Sequence, residues 1–314
     1  MGRAARRRKA KAKSIDQAVE AVLRGETIEE EHLPTDRSQP LPGVLIRRKE
    51  KQVEFDRDET FLVSQLGYMP GNAVGCVGRV SHLKSLYPYL YNLLKRLDAK
   101  RNEKLGDNQM KDAGDMPTAL QLYPLAIRNI HTGGKAGKKF KSRKRGHEEM
   151  TKIEVNLEKT SDGKGAEQTV IEPFPTMIWL THPVLKTLIS QVELGSTDNV
   201  TKMQEKLHSK KEYLDKMKLA HESYGTDRWN LLTEDDRDDV TKRKWTEALG
   251  NKRGVAGIRN FGSIKCLHTH SAHYLAYLGM TETAMTENLI GKWTLECIEE
   301  IAKAYCSETR NKEK

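Results

Sequence analysis

Cysteine and histidine crowd into one short stretch of this sequence. Cys266, His268, His270 and His273 lie within eight residues, after a glycine-rich approach from Gly250 to Gly262. These residue types offer two chemistries. Imidazole nitrogens and a thiolate are ligands that zinc takes four at a time. A thiol near a helix N-terminus has a lowered pKa and becomes a nucleophile when an imidazole can take its proton. The metal reading takes His182, Cys266, His268, His270 and His273 as ligands, with His82 as a further candidate, and makes zinc the cofactor. The catalytic reading takes Cys266 as nucleophile and His268 as its base; no Asp or Glu lies within the segment, so the acid that orients the histidine must come from another element. A third reading makes Cys266 a small core residue and lets the histidines cap or hydrogen-bond. Type and spacing alone leave the three open.

A second group stands at helical spacing. His221, Tyr224 and Arg228 fall on one side of a helix, and Arg259 lies in the loop before Cys266. The two arginines could grip an anionic ligand by forked hydrogen bonds. The alternative is ion pairing with Glu222, Asp235 or Asp236.

The elements that must position these groups follow from pattern. Ser263 reads as an N-cap, and Leu267, Tyr274, Leu275 and Leu278 recur at helical spacing. A helix that includes Cys266 places Cys266, His270 and His273 on one face. Thr176–Leu180 is an apolar strand with Trp179 in the core; it runs into Thr181-His182-Pro183, and Pro183 opens a helix that Gly195 stops. Val200, Met203, Leu207, Leu214, Met217 and Tyr224 predict one long helix packed on one side. A capped helix from Thr233 reaches Leu249, and a last one, carrying Trp293 inward, runs from Leu289 to Tyr305. Upstream, the pattern gives a helix over 58–66, a strand over 73–80, a helix over 83–105, a strand over 118–127 and a hairpin pairing 151–157 with 168–172. Strands come first and helices after, which predicts an α+β fold: a small mixed or antiparallel sheet with a mostly helical C-terminal half. The organisation expected is a basic disordered arm and linker over 1–57, a single domain over 58–306 with a basic loop inserted at 131–150, and a polar tail over 307–314.

Charge is distributed unevenly. The chain of 314 residues has a net charge of +10. Residues 1–13 hold seven Lys or Arg and no acid, and residues 133–146 hold seven more and no acid. Without those fourteen the net charge is −4, so the basicity belongs to two appendages of a mildly acidic body. Arg6, Arg7, Arg8, Lys9, Lys138, Lys139, Lys141, Arg143, Lys144 and Arg145 are the candidate contacts to a nucleic-acid backbone. No run approaches a membrane span, and no secretory core follows the basic start. Cys76, Cys266, Cys297 and Cys306 lack paired spacing and read as reduced thiols. Nucleus or cytoplasm is the compartment expected, with organelle import left open. No Gly-rich phosphate loop of the Walker or dinucleotide type is present.

Four segments together resemble the uncharacterised family known as domain of unknown function 501. They are Ser64-Gln65-Leu66-Gly67-Tyr68-Met69-Pro70; Pro173-Phe174-Pro175-Thr176 through Trp179-Leu180-Thr181-His182-Pro183; His221-Glu222-Ser223-Tyr224 with Arg228; and Gly257-Ile258 through Lys265-Cys266-Leu267-His268-Thr269-His270 to Ala276, followed by Asn288-Leu289-Ile290-Gly291. The resemblance covers roughly residues 58–80, 116–127 and 170–295. It implies a small intracellular domain and brings no activity with it. His182 stands where the family pattern has Cys, an exchange that keeps a zinc ligand. The family's early Arg-Cys pair has no matching Cys here; Arg79-Val80-Ser81-His82 lies nearest. The function expected is non-enzymatic: a domain, with a possible Cys/His metal centre, that associates with nucleic acid or a ribonucleoprotein through its basic segments. The alternative is a hydrolase or transferase using Cys266 and a neighbouring histidine on an anionic substrate.

Overall fold

A computed structural model describes residues 41–50, 52–105, 115–131, 154–155, 167–195, 199–280 and 286–312. The ten basic residues singled out for nucleic acid lie outside the described residues. The fold is α+β. Two helices lead, α1 (Pro42–Glu50) and α2 (Gln52–Leu66), then β1 (Ala73–Arg79), a 3-10 turn at Val80–Leu83 and α3 (Pro88–Leu105). Five strands follow: β2 (Pro117–Leu122), β3 (Leu125–His131), β4 (Glu154–Val155), β5 (Glu167–Pro173) and β6 (Ile178–Leu180). The rest is helical: α4 (Pro183–Leu194), α5 (Val200–His208), α6 (Lys211–Leu231), α7 (Glu234–Lys242), the short α8 (Thr246–Leu249), α9 (Leu267–Gly279) and α10 (Leu289–Lys312). Among the described residues no helix is long and apolar enough to cross a membrane.

The strands form two antiparallel sheets, ordered β1-β2-β6 and β3-β5-β4. The strand expected over 118–127 is therefore split between sheets. Proline explains the split: Pro124 has no amide to offer a ladder, and the chain turns there from the first sheet into the second. The return crossing lies opposite, where the Phe174 amide donates to the Pro124 carbonyl (2.7 Å) and the Leu122 amide to the Met177 carbonyl (2.7 Å).

Sheet β1-β2-β6 is covered on both sides, so every residue of β2 is buried. One side packs on Leu62 of α2. The other joins Leu83, Leu90, Leu93 and Leu94 to Leu275 of α9 and Leu295 and Ile298 of α10 in the main core. Arg79 clamps Asp58 through both carboxylate oxygens (2.9 and 2.6 Å), tying β1 to α2. Glu299 of α10 accepts from the Tyr89 and Leu90 amides (3.0 and 2.7 Å), satisfying donors that the start of α3 leaves free.

The body begins earlier than residue 58. Val44 is fully buried and Leu41 nearly so, in a second cluster with Tyr123, Leu232 and Trp245, and Arg48 donates to the Ala73 carbonyl at 2.7 Å. The long helix expected from Val200 breaks after His208, because Lys210 is extended (φ −141°, ψ 134°) and α6 starts anew. The helix expected from Thr233 ends at Lys242, before Lys244 turns left-handed (φ 58°).

Candidate functional site

Three helices and a loop build the centre of the molecule. From α9 come His270 and His273, from α6 His221, Tyr224 and Arg228, and from the start of α10 Asn288; all six are buried. They meet because each element gives up bulk at a crossing. A Cβ at Gly291 would overlap the His270 carbonyl and lie 2.6 Å from Tyr274 Cβ, so only glycine lets α10 approach α9 this closely. A Cβ at Gly254 would stand 2.6 Å from His221 Cβ, so the 250–262 loop lies directly on that ring.

Each ring is held through Nδ1. The Val255 amide donates to His221 Nδ1 at 3.1 Å. The Gly291 amide donates to Asn288 Oδ1 at 3.0 Å, which fixes the orientation of the side-chain amide. Asn288 Nδ2 then faces His270 Nδ1 (3.1 Å) and His273 Nδ1 (3.0 Å). The opposite nitrogens, Nε2 of His221, His270 and His273, are buried without a hydrogen-bond partner among the described residues. The His221 and His270 rings meet edge-to-face at 5.7 Å, and Tyr224 meets His273 at 5.1 Å. Burial holds all three rings neutral: His221 is lowered to about 3 by desolvation and by His270 and His273, His273 to about 3 by desolvation and His270, and His270 to about 4 by desolvation, against its Asn288 bond.

Arg228 corrects the reading that gave it to an anion or to an acid. Its guanidinium donates to the carbonyls of Leu249 (2.8 Å), Pro175 (3.0 Å), Gly254 (3.4 Å), Gly250 (2.7 Å) and Arg253 (2.5 Å). Five donors serve five carbonyls, so the side chain is a staple for the loop. Desolvation lowers its pKa to about 10. Arg259 lies apart and exposed, 3.3 Å from Glu247. Tyr224 receives the amides of Met177 and Ile178 on its hydroxyl (2.6 and 3.3 Å).

The five residues expected to share a metal are divided. His182 is the N-cap of α4: its Nδ1 accepts from the Leu185 amide (3.4 Å), and its Nε2 meets Asp98 Oδ2 at 3.0 Å, both side chains fully buried. Cys266, not Ser263, is the N-cap residue of α9, extended at φ −156°, ψ 153°, so it leaves the face that carries His270 and His273. Its Sγ pairs with Thr269 Oγ1 at 3.2 Å. His268 points to α4, with Nδ1 3.1 Å from Glu193 Oε2 and Nε2 3.1 Å from both Ser190 Oγ and the Lys186 carbonyl. His82 Nδ1 accepts from the Arg79 amide (3.3 Å). Among the described residues no three His, Cys, Asp or Glu side chains are placed to hold a metal ion.

Glu193 and Ser190 carried no signal in the sequence, because a helix whose face meets α9 cannot be picked out before the packing is known. The bond from His268, with the charge it carries when protonated and the Leu267 amide, holds the Glu193 carboxyl below its usual range despite partial burial. A cleft of about 390 Å³ opens elsewhere on α9, lined by Tyr87, Tyr274, Tyr277, Glu287 and Lys292.

The segments that converge here are those that carry the family pattern. Pro175 to Ile178 hold Arg228 and Tyr224, Gly254 and Val255 hold His221, and Asn288 with Gly291 holds the α9 histidines. A family model described as "Protein of unknown function (DUF501)" matches residues 112–296. The chain belongs to this family. The DUF501 match spans the histidine centre but begins after β1 and α3 and stops within α10. No curated protein and no solved structure matches.

Proposed function

We propose that this DUF501 chain is a non-enzymatic domain that associates with nucleic acid, or with a ribonucleoprotein, through phosphate contacts made by its two basic segments. The supporting observation is where the charge sits. All of the positive excess lies in residues 1–13 and 133–146, and the remainder carries −4. The second segment falls between β3 and β4, which are the two edge strands flanking β5 in one antiparallel sheet. The run of seven cations lies in sequence between two strands of one sheet, and the rest of the chain has a small net negative charge, so the excess that would attract a polyanion is confined to the two segments. Such contacts are independent of sequence and release counterions, so log K falls linearly with log salt, by about 0.9 for each phosphate neutralised on duplex DNA.

The test is fluorescence anisotropy with a single-stranded RNA and a DNA duplex over a range of salt. Deleting residues 1–13 and replacing 133–146 by a short neutral linker should abolish binding and its salt slope while the circular dichroism and melting of the body persist. Unchanged affinity in that variant would end the proposal.

A second reading draws on a specific geometry. Ser190, His268 and Glu193 are connected as hydroxyl, imidazole and carboxylate, the order used in acyl transfer, which moves the alternative nucleophile from Cys266 to Ser190. Against it stands the Lys186 carbonyl, which only accepts and therefore calls for a proton on the Nε2 that would have to serve as base. A fluorophosphonate probe that labels Ser190 would reverse the order of the two readings.

A further inference from the structure

The hydrogen-bond polarity of the histidine centre can be traced atom by atom. A backbone amide can only donate, so the Val255 amide requires a lone pair on His221 Nδ1. The Gly291 amide places Oδ1 of Asn288 and leaves Nδ2 with two hydrogens, one for His270 Nδ1 and one for His273 Nδ1. Asn288 Oδ1 is farther from His270 Nδ1, at 3.3 Å. Each neutral ring therefore carries its proton on Nε2, and among the described residues these three buried N–H donors have no acceptor. Among the described residues no carboxylate figures among the groups that shift the three rings, and the five bonds of the nearby buried Arg228 all go to carbonyls.

This polarity is the reverse of a zinc site. A zinc-bound histidine offers a lone pair to the metal and donates its other N–H outward to a carbonyl or carboxylate. Here the three Nδ1 atoms accept and the three Nε2 atoms carry the protons. We propose that His221, His270 and His273 form a receptor for a small oxyanion, a carboxylate or phosphate group held by three neutral Nε2–H donors. Half-buried Phe261 stacks on His221 at 4.9 Å from the loop that precedes α9, and its displacement is the route of entry. The proposal is independent of the basic segments and of the nucleic-acid reading.

The experiment is long-range proton–nitrogen correlation on the full chain with labelled histidine, titrated separately with inorganic phosphate, sulfate and formate. The three rings should show protonated Nε2 and unprotonated Nδ1. Their Nε2–H resonances should move with phosphate or with formate, the responding anion naming the class. Melting temperature should rise with the same anion, by roughly 3 °C for each tenfold excess over Kd. Zinc should leave these resonances in place. His273→Phe, which keeps a ring and removes one donor, should reduce the anion-dependent rise. Asn288→Asp should turn the tautomers of His270 and His273 over, lose the anion response and acquire sensitivity to zinc. The idea is overturned by a protonated Nδ1 on His221 or His273 in the folded protein, or by Nε2–H resonances that ignore all three anions.

Discussion

Three imidazoles kept neutral in the interior make stability depend on pH, and the sign follows from where the protons go. Their folded pKa values, about 3, 4 and 3, lie below the 6.5 of an unfolded chain. Between pH 6.5 and about 4 the unfolded state binds protons that the folded state refuses, so stability is full above 6.5 and is lost as pH falls through that window. Each ring contributes at most about 1.4 kcal/mol per pH unit, so the three together give a slope near 4. Urea midpoints measured from pH 7 to 5 should show this loss, and His273→Gln should make the slope shallower by about one proton. An unchanged slope in that variant would mean that the ring is not shielded in solution. Arg228 is the other decisive single residue. Arg228→Met takes a donor from five loop carbonyls, two of them in fully buried bonds, and should cost about 3 kcal/mol or more in urea unfolding, and Arg228→Lys, with three donors and no planar fork, should recover only part of it.

At the level of elements, glycine positions invert a familiar preference. Alanine is favoured over glycine inside a helix by about 1 kcal/mol. At Gly291 the added methyl would overlap the His270 carbonyl of α9, and overpacking of that kind costs about 1–3 kcal/mol. Gly291→Ala should therefore be net destabilising, by calorimetry, and should loosen the Asn288 bonds to both histidines. Much of the element layout was legible: the end of α2 at Gly67, α4 opened by His182-Pro183 and the β4–β5 pairing stand where expected, whereas α9 exists as expected but starts three residues beyond its expected cap and α2 starts six residues early. Helix propensity could not show the break at Lys210 or the turn at Lys244, because lysine is an ordinary helix former and residue type marks neither position as a stop. The histidines were legible as chemistry but not as a site. Their tautomers are set by the amides of Val255 and Gly291, and a backbone amide leaves no trace in residue type. The spacing that suggested one ligand face failed at Cys266, whose extended cap conformation lies outside the helical repeat.

For the molecule as a whole, the family-matched segment is not the folding unit. Residues 112–296 lack β1 and α3, which supply Val77, Leu90, Leu93, Leu94 and Leu97 to the main core. A polypeptide limited to 112–296 should be unfolded or aggregated by circular dichroism, whereas one spanning 41–312 should melt cooperatively; a folded short fragment would overturn this reading of the core. The same layout sets an order of events during synthesis. Leu90 opens α3 early, yet the carboxylate that receives its amide belongs to Glu299. At about 5–20 residues per second a ribosome needs roughly 10–40 s to travel between the two. Throughout that interval the leucines of α3 have no partner from α10, so that side of the core stays uncovered until α10 has left the exit tunnel.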